Sequence, residues 1–197
     1  MSLINEGKLV LIRPVTKEDL EIFILWNRSS DALGGFNAPY IRSLEQYSKK
    51  HSESGFISNE HTIFAIERKE DNLLIGKIGY SRDNPICNTM ARTFSILGDP
   101  GHRGNGYATE ARMLLINYLF LSTDMERVYS ETEEHNKATR RSLEKCEMKF
   151  EGVLRHVMFD LGRWNDFAIY SILRQEWKEA AKYKEIREPF EQPWFTK

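Results

Sequence analysis

Residues 98–111 read Gly-Asp-Pro-Gly-His-Arg-Gly-Asn-Gly-Tyr-Ala-Thr-Glu-Ala. They lead from a strand end, through a glycine-rich turn, into an amphipathic helix. The first backbone N–H groups of such a helix have no partner within it and point outward. With the positive end of the helix dipole they suit a phosphate or pyrophosphate. Gly104 and Gly106 allow close approach of the backbone to a ligand. Arg103 adds a fixed positive charge beside those amides.

Two other phosphate-binding patterns can be tested. The P-loop requires Gly-Lys-Ser/Thr, which does not occur. The dinucleotide fingerprint requires a small third residue three positions after Gly106, where Thr109 stands. On the glycines alone, a phosphate cradle and a plain turn before a core helix remain equal alternatives. The histidines at 51, 61, 102, 135 and 156 do not form a metal-ligand spacing, so no metal is expected.

The surrounding elements must position this turn. Residues 8–13 read as a strand ended by Pro14, and Thr16 as the N-cap of a helix over 17–28. A polar helix is expected over 44–54. Residues 62–67 and 73–80 form a hairpin, and 91–97 a further strand. The helix after Gly104 places Ala108, Ala111, Leu115, Tyr118 and Leu119 on one face. A strand over 127–132, a helix over 136–146 and a final pair over 150–160 and 165–173 follow. A hairpin followed by one strand–helix–strand crossover indicates an α+β fold with a mixed sheet.

Arg103-Gly-Asn-Gly-Tyr-Ala108 matches R-x-x-G-x-A, so the loop resembles the coenzyme A pyrophosphate loop of GNAT acyltransferases. Thr109, Glu110 and Ala111 continue it as in the branch of Rim-type ribosomal-protein acetyltransferases. The opening strand and turn over 11–19, the Asn136-x-x-Thr139 helix and the closing hairpin are similar to that branch in the same order.

The resemblance implies a mostly antiparallel sheet whose central parallel strands, 91–97 and 127–132, splay apart between flanking helices. It implies one catalytic domain over 1–177. The tail over 178–197 is expected to pack on that domain or to form a homodimer contact. It also implies that acetyl-coenzyme A is the cosubstrate. Its pyrophosphate would meet Arg103, Gly104, Asn105, Gly106, Tyr107 and Ala108. Its pantetheine arm would run along Ile96 and Leu97 towards Asn136.

Family members use direct attack by the amine, with no acyl-enzyme, so Cys146 reads as core. Such attack needs a proton acceptor, a donor to the oxyanion and stabilisation of the leaving thiolate. The backbone N–H of Leu97 or a neighbour is the expected oxyanion donor. Thr139 is the candidate beside the thiol; Glu133 and His135 are candidate bases among the polar residues ending the 127–132 strand.

Three positions depart from the family's pattern. Thr93 stands where a strand Glu is common, and Leu143 where many members carry a Tyr acid. Glu147 stands where a Gly usually ends the helix, so strain or a different turn is expected there.

The chain has 197 residues, 41% hydrophobic and 29% charged, with a net charge of −1. That size suits one domain. The balance of charge argues against nucleic acid or an anionic membrane as partner. With two cysteines that make no disulfide framework and neither a leader-like start nor a long apolar run, a cytoplasmic setting is expected. The expected acceptor is a primary amine, either a protein N-terminus or a small molecule. The alternative is a non-catalytic coenzyme A sensor or interaction module.

Overall fold

The computed structural model describes residues 5–36, 39–82 and 87–187. Seven strands form one sheet: β1 (Val10–Pro14), β2 (His61–Arg68), β3 (Leu73–Ser81), β4 (Met90–Leu97), β5 (Arg127–Glu133), β6 (Lys149–Asp160) and β7 (Arg163–Leu173). Their order is β1-β2-β3-β4-β5-β7-β6. Every neighbouring pair is antiparallel except β4 and β5, which are parallel. This is the expected mixed α+β sheet.

Helices cover both faces. On one, α3 (Tyr107–Ser122) buries Leu114, Leu115, Leu119 and Phe120 against Ile12, Ile66, Ile78 and Val128. Each such side chain contributes about 1.5–3 kcal/mol. The helix is buried beyond the single expected stripe, because α5 (Arg174–Glu179) and α6 (Ala181–Arg187) cover its outer side. Trp177 packs on Phe120, and Tyr183 is fully buried with its hydroxyl donating to the Cys146 carbonyl at 2.9 Å. Phe190 to Phe195 lie outside the described residues. On the other face, α1 (Asp19–Arg28) and α2 (Leu44–Ser54) bury Leu20, Phe23, Ile24 and Tyr47.

Two local expectations change. Thr16 does not cap α1 with its side chain. Its backbone N–H instead donates to Asp19 Oδ2 at 2.8 Å. Arg13 holds that carboxylate with a fork of two bonds and keeps its pKa low against the opposing effect of burial. β6 is a sheet edge and is not straight. Its register against β7 slips at Phe150/Gly152 and again at Leu154/Met158, and His156 between them has φ +51°.

Candidate active site

β4 and β5 pair only from Met90↔Arg127 to Thr93↔Ser130. Beyond Thr93, β4 follows β3 to Leu97, while β5 follows β7 to Glu133. The strands therefore part, as expected, and the hydroxyls of Thr93 and Ser130, 2.6 Å apart, mark where they do. Gly98 N–H donates back to the Ile75 carbonyl at 3.0 Å. By strand alternation the N–H and C=O of Leu97 then face the gap. Ile96 lines the same opening, but its carbonyl turns to β3, so close to Gly76 that a Cβ there would collide with it.

The gap leads to the glycine-rich loop. Gly104 and Gly106 have φ +82° and +87°, which a side-chain-bearing residue rarely adopts. Gly106 is the N-cap of α3, so the helix starts at Tyr107 rather than near Gly104, and its first turn opens onto the gap. Asn105 is exposed, with its amide 3.4 Å from the Gly101 carbonyl, and does not line the opening. The Arg103 guanidinium bonds to the carbonyls of Asp31 and Ala32 and reaches Leu97 O at 3.5 Å. It pins the loop after α1 against the end of β4.

The fourth wall is α4 (Lys137–Lys145). Asn136 caps it, accepting from Thr139 N–H at 3.1 Å. The whole forms a cleft of about 510 Å³ in which Leu97, Gly104, Gly106, Tyr107, Ala108, Asn136 and Thr139 all meet. Arg103, Arg112, Arg141 and Lys145 line it with no carboxylate among the lining residues. Open helix-start amides, two left-handed glycines and the cations Arg103, Arg141 and Lys145 fit a polyanion with a long neutral arm, which is the shape of coenzyme A.

Glu133 and His135 do not line this cleft. Glu133 ends β5 as a buried carboxylate; Arg163 Nη2 is 3.5 Å from Oε2, and Oε1 has no hydrogen-bond partner. Burial raises its pKa, against the opposing pull of Arg163. His135 is exposed in the turn between β5 and α4. Cys146 is fully buried and its thiol is pushed up to about 11 by burial, as suits a core residue. Sequence reasoning missed Arg112, Ser95 and Ser142. The signal for Arg112 was a charge inside the apolar run after Ala111.

Sheet, splayed pair and cationic cleft define an acetyltransferase fold that binds coenzyme A. The family described as "Acetyltransferase (GNAT) domain" matches residues 10–149. The chain belongs to this family and is an N-acetyltransferase, an enzyme that transfers an acetyl group to an amine.

Among relatives, it is 26% identical to the uncharacterised N-acetyltransferase YoaA of Bacillus subtilis (strain 168), over 87% of this chain and 97% of that one. The Vibrio cholerae spermidine N-acetyltransferase, solved with CoA and spermine, superposes with a TM-score of 0.74 at 22% identity, over 86% and 98% of the two chains. RimL, a ribosomal L7/L12 α-N-protein acetyltransferase solved with coenzyme A, gives 0.72 at 15% identity, over 89% and 99%. No helix among the described residues is long and apolar enough to cross a membrane.

Proposed function

We propose that the enzyme binds acetyl-coenzyme A in this cleft and passes the acetyl group directly to a primary amine in a ternary complex. One observation carries the reading: the gap between β4 and β5 opens onto the bare N-terminus of a 16-residue helix behind Gly104 and Gly106. The pyrophosphate would lie on residues 103–108, with the amides after Gly106 as donors and the pantetheine along Leu97. Asn136 and Thr139 would flank the sulfur end.

The acetyl carbonyl would then face the Leu97 N–H, a fixed donor for the developing oxyanion. Glu133 is the stronger of the two candidate bases. Its partly desolvated carboxylate with a free oxygen favours taking up a proton, whereas His135 is exposed. Because Glu133 stands outside the cleft, the proton would travel through water. The acceptor would be a small-molecule amine or a protein N-terminus, as spermidine and ribosomal protein L7/L12 are for the proteins named above.

Calorimetric titration with acetyl-coenzyme A, followed by thiol release over a panel of polyamines, amino acids and peptides, tests this. Binding with release for one amine class supports transfer and names the acceptor. Binding without release on any amine points to a sensor. Absence of binding removes the assignment of the cleft.

A further inference from the structure

Arg112 is a buried cation, only 4% exposed, on the cleft side of α3. Its Nη1 donates to Ser142 Oγ of α4 at 2.6 Å, and its Nη2 to Ser95 Oγ of β4 at 2.7 Å. The guanidinium therefore spans the cleft floor between its two walls. Ser95 lies two residues past Thr93, the last β4 residue paired with β5. Arg112 is six residues beyond the Gly106 cap, roughly 9 Å further along α3. It thus sits near the parting of the strands, away from the pyrophosphate loop.

Among the described residues no carboxylate bonds to Arg112. The titratable groups acting on it are the Cys146 thiol and the Tyr183 phenol, both buried and both raised, hence neutral near pH 7. Arg141 and Lys145 of α4 share the cleft and add positive charge. A buried charge without a counter-ion is costly unless an anion arrives to meet it. Leu143, where many family members carry a Tyr acid, is apolar and fully buried.

We propose that Arg112, acting through the hydroxyls of Ser142 and Ser95, stabilises the thiolate that leaves acetyl-coenzyme A. The inference rests on the acetyl-coenzyme A reading of the cleft. A hydroxyl that accepts from a guanidinium keeps its own proton to donate, and the charge behind it strengthens that bond; Ser142 Oγ can also accept from the Thr109 hydroxyl, 2.8 Å away, and still keep that proton. As the amine nitrogen bonds to the carbonyl carbon, the C–S bond breaks and its electron pair moves to sulfur. The amine proton leaves to the base or solvent. The sulfur is held as an anion by the serine O–H groups and takes a proton from water on release.

A free alkyl thiol ionises near pH ~8.5. The test compares binding of coenzyme A and of desulfo-coenzyme A to the full chain from about pH 6.5 to about pH 9.5, with ultraviolet absorbance reporting the bound thiolate. Wild type is expected to prefer coenzyme A increasingly as pH rises, by about tenfold per unit that the bound thiol pKa is lowered. Arg112→Met abolishes that rise while leaving desulfo-coenzyme A affinity within about threefold.

Ser142→Ala is the second variant, since that side chain is only half-buried; it keeps the cation and loses a donor, and the rise falls about threefold or more. A preference in wild type that is flat with pH, or one that persists in both variants, overturns the proposal. Failure of wild type to bind either ligand is a different result: it removes the acetyl-coenzyme A reading, and this inference with it.

Discussion

The Glu110 carboxylate reaches from α3 to the start of β1 and accepts from Leu9 N–H at 2.7 Å. The N–H groups of Lys8 and Val10 donate to the same carboxylate at 2.9 and 2.8 Å. One side chain thus satisfies three amides 100 or more residues away in sequence. Hydrogen bonds to a charged acceptor contribute about 1.5–3 kcal/mol each, less where exposed. Glu110→Ala is expected to lower unfolding free energy by about 2–4 kcal/mol in urea, and Glu110→Gln by about half of that. A loss under about 0.5 kcal/mol would show that β1 docks without this clamp.

Glu147 has φ +59° at the end of α4. Met148 N–H returns to Leu143 O at 3.2 Å and Glu147 N–H to Glu144 O at 3.0 Å, a Schellman closure built on a residue other than glycine. A left-handed side-chain-bearing residue costs about 1–2 kcal/mol. Glu147→Gly relieves that cost, but it removes the exposed ion pair with Lys182 and loosens the unfolded chain. A net gain of up to about 1 kcal/mol is expected, read as a rise of a few degrees in Tm. A lower Tm would mean that the ion pair outweighs the strain.

The role proposed for Glu133 has a kinetic signature. A base must be ionised to accept a proton, so kcat/KM should rise with pH through the Glu133 pKa, which burial places above the usual carboxylate value. Glu133→Gln should lower kcat by about 10²–10⁴ and remove that acid limb, with acetyl-coenzyme A affinity unchanged. An acid limb that survives in the variant would assign the proton transfer to another group.

Lys77 is 4% exposed on β3, donating to Asn27 Oδ1 at 2.8 Å and lying over the Phe23 ring. Burial, and then the nearby charge of Arg42, push its pKa down from 10.5 to about 8. Below about pH 8 both folded and unfolded chains carry the proton, and the cost of burying the charge is present in full. Between about pH 8 and pH 10.5 the unfolded chain alone keeps it, so stability rises with pH, by roughly 3 kcal/mol across the window. Denaturant titrations at the two ends should show this rise in wild type and a smaller one in Lys77→Met. Equal rises in the two proteins would contradict a depressed Lys77.

Much of this architecture is written locally. Alternating apolar residues and turn signals located all seven strands to within a few residues, and the glycine-rich turn put the helix start near Gly104, three residues before Tyr107. Asn136 was legible as a cap; at Glu147 the family's usual glycine left strain or a different turn open, and the structure has the left-handed residue. The long-range polar contacts were not legible. Nothing in the spacing of Arg112, Ser95 and Ser142 says that three elements bring them together, since those bonds depend on how α3 and α4 sit against β4. Glu110 shows in the sequence only as part of a helix start, because its partners are backbone amides at the start of β1, which have no side-chain signature. Thr16 stands outside α1, which begins only after Glu18, and the Asp19 carboxylate that Arg13 of β1 orients accepts its N–H.

The two register slips of β6 bear on how the molecule behaves in company. An edge strand offers a row of unmatched backbone donors and acceptors on which a strand from another chain can crystallise into a shared ladder. This hairpin also exposes Leu154, Val157, Met158 and Phe159, side chains that favour such stacking. The slip around His156 breaks the row into short pieces and tilts them differently. An approaching strand can follow only a few residues before the register is lost, so the greasy rim is kept from seeding fibres.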